Sequence, residues 1–358
     1  MTKIKPIAIH LPQFHPIPEN DAWWGKGFTE WTNVTKAQPR FEGHYQPHLP
    51  ADLGFYDLRL EEARLAQEAL AKQYGIYGFC YYHYWFNGKR VLNEPLDRKL
   101  QNPKEDFPFM LCWANENWTR AWDGKDNDVL LKQSYSPEDD LAHMRWLCSN
   151  VFSDSRYIKV GNKPVFAIYR QELFPDIKKT IHSWRQIAKE EFGFDDLYLC
   201  VMESFNQHVN PNDYGFDAAI EFSAHQVIRN KVEVKRKRFS LMKHNGETID
   251  YRDFELGVAQ AIARTLPDYK LYRSVTPSWD NSARKGSKGI VAVGSSPELY
   301  ESWLYKVATG FKAYSNDENF LFINAWNEWA EGNHLEPCTK YGHAYLEATK
   351  KVLHKIEG

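Results

Sequence analysis

Three glutamates lie close together in the stretch 324–336, where an apolar run ends. Glu328 and Glu331 are three positions apart, so a helical turn after that run would place both carboxyl groups on one side of the chain. Two carboxyls in one pocket repel each other and lose water, so one can act as a base while the other holds a proton. Trp326 and Trp329 stand beside them. Paired acids flanked by indole rings predict catalysis at a glycosidic bond by Glu328 and Glu331.

The same acids have a structural alternative. Acidic side chains are common in the first turn of a helix, because they interact favourably with the helix dipole. Glu336 precedes Pro337, which is consistent either with a structural acid or with a side chain that binds a sugar hydroxyl. The predicted substrate contacts from this stretch are Trp326, Asn327, Trp329 and Glu336.

A second cluster of amide, carboxylate and indole side chains fills residues 112–124, directly after another apolar run. Amides and carboxylates bind sugar hydroxyls, whereas a tryptophan face covers the C–H side of a sugar ring. The alternative is a set of helix N-caps packed against the rim of the fold. The predicted sugar contacts from this cluster are Trp113, Asn115, Glu116, Asn117 and Trp118.

Three further segments after predicted strands carry polar and aromatic residues: a long loop at 12–55, and the shorter stretches 81–86 and 277–281. The first contains several histidines, but prolines break it, so these histidines do not share one helical face and no metal site is predicted. Aromatic residues at such positions could also be ordinary packing. The predicted sugar contacts from these segments are Gln13, His15, Trp24, Glu30, His83, Trp279 and Asp280.

Eight short apolar runs recur along the chain, most of them followed by an amphipathic segment. Continuous rather than alternating apolar residues indicate buried parallel strands. Eight such units predict an α/β protein with a (β/α)8 barrel, one domain over residues 1–358, long βα loops and an active site at the carboxyl ends of the strands. The predicted strands are 4–11, 75–82, 108–113, 164–169, 197–202, 218–222, 271–276 and 320–325. The predicted helices are 58–74, 137–151, 175–192, 251–266, 297–314 and 339–356.

Other classes lack their sequence signals. A doubly wound sheet is disfavoured because no Gly-x-Gly-x-x-Gly loop follows an early strand. The absence of a Gly-x-Ser-x-Gly motif disfavours catalysis by a Ser-His-Asp triad. No phosphate-binding loop is present either, and no cofactor is predicted. A net charge of −2 gives no reason to expect nucleic acid. Five scattered cysteines and no apolar leader or spanning run predict a cytoplasmic protein with reduced thiols. A basic insertion at 224–250 could bind phosphate or an acidic sugar, or could simply face water.

The stretches 11–31, 43–48, 112–118 and 327–332 resemble the WbsX-like family, which is labelled glycosyltransferase and occurs among surface-polysaccharide genes. That family is similar in turn to glycoside hydrolase family 99, the (β/α)8 endo-acting mannosidases and mannanases that share an Asn-Glu-Trp-x-Glu-Gly motif. The resemblance implies that Glu328 deprotonates the sugar 2-hydroxyl, which attacks the anomeric carbon to form a 1,2-anhydro intermediate. It implies that Glu331 is the general acid and base, and that the configuration is retained.

These observations favour a retaining glycoside hydrolase that acts on an α-linked polysaccharide of mannose or rhamnose type, whose axial 2-hydroxyl this chemistry needs. One alternative is a glycosyltransferase in the synthesis of a surface polysaccharide such as O-antigen or lipopolysaccharide. Another is a barrel that binds carbohydrate without catalysis. The sequence does not predict the oligomeric state.

Overall fold

Parallel strands form the centre of the computed structural model, which describes residues 3–120, 125–205, 209–223, 247–250 and 267–357. Nine strands pair side by side, each parallel to its neighbour, in the order β7-β6-β5-β4-β3-β2-β1-β9-β8. The strands are β1 Lys5–His10, β2 Gly78–Phe86, β3 Phe109–Trp113, β4 Lys163–Ile168, β5 Tyr198–Glu203, β6 Ala218–Glu221, β7 Leu271–Tyr272, β8 Ser274–Val275 and β9 Phe320–Ile323.

The two strands at the ends of this order, β7 and β8, come from a single predicted strand. β7 pairs with β6 and β8 pairs with β9, and only Arg273 separates them in the chain. The carbonyl of Arg273 accepts a bond from Phe322 N at 2.9 Å. The two short pieces therefore occupy one position between β6 and β9, and the eight predicted strands form a nearly closed barrel.

Helices lie between the strands. Five predicted helices are confirmed with shorter bounds, and the predicted helix 251–266 lies outside the described residues. The helices are α1 Pro18–Trp24, α2 Glu30–Lys36, α3 Glu61–Gln73, α4 Glu94–Gln101, α5 Pro137–Leu147, α6 Ile177–Gln186, α7 Ser282–Lys285, α8 Pro297–Thr309 and α9 Ala344–Glu357. The sequence did not predict α1, α2, α4 or α7, and the first two lie in the segment 12–55 that was predicted to be a loop.

Hydrophobic burial explains the barrel. The strands are almost fully buried, and one continuous core contains side chains from all nine strands. Large rings fill the space inside and around the barrel, and Trp113, Trp184, Trp303 and Trp326 are fully buried. All five cysteines are buried and unpaired. Among the described residues no helix is both long and apolar enough to span a bilayer.

Candidate active site

The two catalytic candidates lie on a tight hairpin that follows β9. Asn327–Glu328 pairs antiparallel with Asn333–His334, and Trp329–Glu331 forms a single 3-10 turn between them. Gly332 ends this turn with a φ of +56°, and a Cβ at this position would lie 2.9 Å from the Cβ of Asp280. Both the left-handed backbone and the close approach require glycine. The catalytic turn, defined as Glu328 to Gly332, therefore directs both carboxyls into one cavity.

Hydrogen bonds to neighbouring segments hold the catalytic turn in place. Asn327 joins it to the end of β1, because its Nδ2 donates to Leu11 O at 3.0 Å while its Oδ1 accepts from Leu11 N at 2.7 Å. On the other side, Asp280 N donates to Glu331 O at 2.6 Å. Asn327 is fully buried and does not line the cavity. Its amide therefore positions the turn, whereas the sequence predicted it to contact substrate.

One arginine contacts three carboxylates at the floor of the cavity. Arg284 Nη2 donates to Glu328 Oε2 and to Glu30 Oε1, both at 2.7 Å, and its Nη1 donates to Glu331 Oε1 at 2.6 Å. The Glu328 side chain is 7% exposed and that of Glu331 is 20% exposed, so Glu331 is more accessible to a ligand. Arg284 was not predicted from the sequence, in which it is one basic residue among many.

Burial changes the acidity of both candidates. Loss of water raises the pKa of Glu328 to about 8, although the Arg284 guanidinium acts in the opposite direction. Burial also raises the pKa of Glu331, again against the effect of Arg284, while the nearby Glu30 carboxylate contributes to the rise. Each carboxyl disfavours ionisation of the other as well. The pair therefore retains a proton at pH values where exposed glutamates are ionised.

Replacing Glu328 by glutamine should change how stability depends on pH. Because the pKa of Glu328 rises from 4.5 in the unfolded chain to about 8 in the folded one, the folded state binds the extra proton. That contribution is complete below about pH 4.5 and is lost as the pH rises through about 8. We expect Tm of Glu328→Gln, relative to the unaltered protein, to increase between pH 5 and pH 8 in thermal denaturation.

The matched control for this titration is Glu42→Gln, which removes an exposed glutamate. Its Tm should follow that of the unaltered protein at every pH, because solvent screens an exposed charge. Parallel curves for Glu328→Gln and Glu42→Gln would contradict the raised pKa of Glu328.

The cavity above the two glutamates has a volume of about 300 Å³. Both aromatic rings and polar groups line it, as expected for a site that binds a sugar through its hydroxyls and its C–H face. The predicted residues that line it are Gln13, Trp24, Glu116, Asn117, Trp118, Glu328 and Glu331. The residues that the sequence did not identify as contacts include Asn20, Trp23, Tyr82, Tyr84, Tyr169, Phe205, Phe222 and Arg284.

Tryptophan and tyrosine side chains form one wall of the cavity. The rings of Trp23 and Trp118 meet edge to face at 5.8 Å, and Tyr84 packs against Trp118 at 5.2 Å. Tyr82 and Tyr84 are two positions apart on β2, so both project to the cavity side of the strand. The intervening His83 projects to the other side, where its Nε2 lies 2.9 Å from His143 Nε2 of α5. His83 therefore packs between strand and helix and cannot contact a ligand in the cavity.

Polar residues line another part of the same cavity. Glu116 is paired with Arg170, whose guanidinium lies 3.9 Å from the centre of the Phe205 ring. Asn117 Oδ1 accepts a bond from Gln133 N at 2.7 Å, which fixes the orientation of its amide. This part of the cavity therefore presents a carboxylate and an amide to a ligand.

Several predicted contacts are held by protein groups and do not line the cavity. Asn115 Nδ2 donates to Tyr135 Oη and to Arg170 O, and its Oδ1 accepts from Arg170 N. These bonds tie the loop after β3 to the loop after β4. Glu336 accepts bonds from Tyr56, Gln67 and Trp329, at 2.6–2.8 Å. The other buried side chains of this kind are His15, Trp113, Trp326 and Trp329.

Trp279 and Asp280 line a separate cavity of about 260 Å³. Asp280 Oδ2 accepts bonds from His44 Nε2 and Gln46 Nε2, both at 2.7 Å, and its Oδ1 accepts from Ser282 N at 2.9 Å. Asp280 therefore caps the start of α7 and supports Arg284, whereas the sequence predicted it to contact the substrate beside the glutamates.

Two curated proteins resemble this chain in sequence. Two curated relatives, both described as uncharacterized protein WxcX and both from Xanthomonas campestris pv. campestris, are 43% identical over 348 residues, which is 97% of this chain and 49% of each relative. The chain thus spans about half the length of the curated relatives it matches.

Two solved structures share the fold at 13% sequence identity. One is an endo-alpha-mannosidase of glycoside hydrolase family 99 from Bacteroides thetaiotaomicron, with a TM-score of 0.62 over 98% of this chain and 97% of that one. The other is described as a glycoside hydrolase-like protein, with a TM-score of 0.60 over 99% of this chain and 94% of that one.

The family assignment comes from the sequence. A family model described as glycosyltransferase WbsX matches residues 6–349, which include all four stretches that carry the resemblance. The chain belongs to the WbsX glycosyltransferase family.

Proposed function

We propose that this protein cleaves a glycosidic bond in an α-linked polysaccharide of mannose or rhamnose type and retains the anomeric configuration. The observation that carries the proposal is the pair Glu328 and Glu331, held side by side by Arg284 at the floor of an aromatic cavity. Neither carboxyl is committed to a structural role elsewhere in the described part of the chain, and both line the cavity.

The reaction follows from the two acids and the substrate. Glu328, when ionised, takes the proton of the sugar 2-hydroxyl, and that oxygen attacks the anomeric carbon. Glu331 at the same time gives its proton to the departing glycosidic oxygen. The product is a 1,2-anhydro sugar. Glu331, now ionised, then takes a proton from water as the water oxygen attacks the anomeric carbon, and Glu328 returns its proton to the 2-oxygen. Two inversions give net retention.

The raised pKa values suit this sequence of steps. A proton donor must hold its proton at the working pH, and burial raises the pKa of Glu331 in that direction. A base is most effective with a pKa near the working pH, and that of Glu328 lies at about 8. A hydroxyl that donates to Glu328 favours its ionised form, so substrate binding itself prepares the base.

Glycosyl transfer from a nucleotide sugar is the second candidate, because the family model carries that description. A diphosphate donor needs cationic groups or a metal ion at its phosphates. Of the described residues that line the cavity, Arg284 is the only cation, and three carboxylates already contact it. The basic segment 224–250, for which phosphate binding was one of the possibilities left open by the sequence, lies almost entirely outside the described residues.

Incubation with a panel of bacterial surface polysaccharides tests the proposal. Hydrolysis predicts shorter fragments with new reducing ends, detected by mass spectrometry, in the absence of any nucleotide. Transfer predicts instead that a nucleotide sugar or a polyprenyl-linked glycan raises Tm and that an acceptor gains mass. Sugar binding that persists after loss of both Glu328 and Glu331, without turnover of any glycan, would indicate a binding protein.

Replacing Trp118 by alanine should weaken substrate binding more than it slows the chemistry. The indole forms part of the aromatic wall and has no ionisable group that could transfer a proton. A ring contact on the order of 0.5–1.5 kcal/mol corresponds to a rise in KM of about two- to tenfold, with kcat changed less. Steady-state kinetics check this. Tyr214→Ala, which removes an exposed ring on a surface turn, is the control and should leave KM unchanged.

A further inference from the structure

We propose that Glu30 and Arg284 form a positioning pair that orients the catalytic turn and keeps one proton shared between Glu328 and Glu331. The inference rests on the proposed function, since it assigns a task to two residues that act through the catalytic acids. The sequence predicted Glu30 to contact a sugar hydroxyl, but its side chain is fully buried behind the cavity.

Glu30 bonds to two parts of the site through one oxygen. Its Oε1 accepts from Arg284 Nη2 at 2.7 Å and from Ala330 N at 3.0 Å. Ala330 lies between the two catalytic candidates on the catalytic turn. Glu30 is the first residue of α2, and its backbone N donates to Gln13 O at 3.0 Å. The carboxylate is thus fixed by a separate element and aligns both the turn and the guanidinium.

Hydrogen bonds at the start of α7 fix the backbone that carries Arg284. It lies on α7, which Asp280 caps through Ser282 N at 2.9 Å, and Asn281 Oδ1 accepts from Ile290 N at 2.7 Å just before the helix. With its helix fixed, the planar guanidinium presents its donors in fixed directions. The two Nη atoms therefore set the relative orientation of the Glu328 and Glu331 carboxyls.

The charges in this cluster do not balance if all groups are ionised. Three carboxylates and one guanidinium give a net charge of −2 in a buried site, and the Glu30 side chain is 0% exposed. Glu30 Oε2 accepts no hydrogen bond from any residue that the structure describes. A buried carboxylate oxygen without a partner is destabilising, and a proton taken up by Glu328 or Glu331 relieves the repulsion.

Other titratable groups face the two acids from several elements. Tyr82 and Tyr84 on β2 and Tyr169 after β4 line the same cavity, and burial raises the pKa of each of them, so they stay neutral. Lys285 acts on Glu331 from the end of α7, and Glu116 lines the same cavity and is paired with Arg170. Neutral phenols do not change the charge balance, so Glu30 and Arg284 dominate it.

A purely structural role for the pair is the alternative. A buried ion pair contributes little to stability compared with apolar residues of similar volume. One carboxylate is enough to pair with one guanidinium in a purely structural ion pair. Here Arg284 contacts three carboxylates, and the third adds repulsion next to the two candidate acids. The positioning role predicts that the two members of the pair shift the acids' titration in opposite directions.

Titration of the carboxyls by ¹³C NMR, with glutamate labelled at Cδ, tests this without any substrate. Signals of the two acids are assigned from Glu328→Gln and Glu331→Gln. Removing the negative charge with Glu30→Gln should lower the apparent pKa of the pair, and removing the positive charge with Arg284→Gln should raise it. The expected shift is about 1–3 units in each case, as for an opposite or like charge at this range. Lys288→Gln, which removes an exposed cation on the same loop, should leave the titration unchanged.

Arg284→Gln leaves three carboxylates without the cation that they share. If that variant does not fold, Arg284→Lys takes its place in the titration. Lysine keeps the charge but not the fork, and we expect the apparent pKa near that of the unaltered protein with kcat reduced and KM little changed. Shifts in the same direction for both members of the pair, or no shift for Glu30→Gln, overturn the inference. Opposite shifts without cleavage of any glycan overturn the proposed function and leave the charge coupling intact.

Discussion

Replacing Glu331 by glutamine is expected to reduce cleavage of a natural glycan by about 10²–10⁴-fold, the usual contribution of a general acid. The same variant should cleave an aryl glycoside with an acidic leaving group at a much smaller loss, because such a leaving group departs without a proton. Glutamine preserves the size of the side chain and can still accept a bond from Arg284, so the fold should be little affected. Parallel measurement of kcat/KM on both substrates checks the prediction.

The difference between the two substrates carries the assignment of Glu331. Equal losses on the natural glycan and on the aryl glycoside would show that Glu331 does not act as the acid for the departing oxygen. The matched comparison is Glu116→Gln, which changes another carboxyl that lines the cavity and is paired with Arg170. That variant should affect both substrates alike, since it removes a binding contact and no proton transfer.

Replacing Glu328 by glutamine should abolish cleavage of both substrates. The base acts on the sugar 2-hydroxyl in the first step, and that step is needed whatever the leaving group is. We expect a loss of at least about 10²–10⁴-fold on each substrate. Steady-state assays of both substrates provide the measurement.

A 2-deoxy substrate separates the roles of the two acids further. Such a sugar lacks the hydroxyl that attacks the anomeric carbon, so the unaltered protein should not cleave it at a significant rate. Appreciable activity of Glu328→Gln on an aryl glycoside, or cleavage of the 2-deoxy sugar, would contradict the role of Glu328 as the base.

The barrel could be predicted from the sequence because its strands carry a local signal. Buried parallel strands need continuous apolar residues, and all eight predicted runs coincide with strands of the barrel. Strand ends were less exact. β2 runs on to Phe86, four residues beyond its predicted end, because Tyr84–Phe86 pairs with Lys89–Val91 in a hairpin. The predicted seventh strand is interrupted at Arg273, where it passes from one neighbour to the other.

Glu328 and Glu331 could be predicted because they are neighbours in sequence, whereas Arg284, which contacts both, could not. Glu30 and Arg284 are 254 positions apart, and only the closed barrel brings α2 and α7 together over the catalytic turn. Asp280 illustrates the opposite case. Its position after a barrel strand predicts a substrate contact, but its carboxylate points away from the cavity and caps α7. Which way a loop side chain points depends on tertiary contacts that no local pattern encodes.

The stereochemistry of the first product tests whether Glu328 and Glu331 cleave the glycosidic bond with retention of configuration. A polysaccharide that the protein cleaves is followed by ¹H NMR from the start of the reaction, before the new reducing end changes its anomeric form in water. The proposed roles of Glu328 and Glu331 predict that the α anomer appears first, and that a protein carrying both Glu328→Gln and Glu331→Gln releases no product. A first product with the β configuration, or release of fragments by that double variant, would contradict the account.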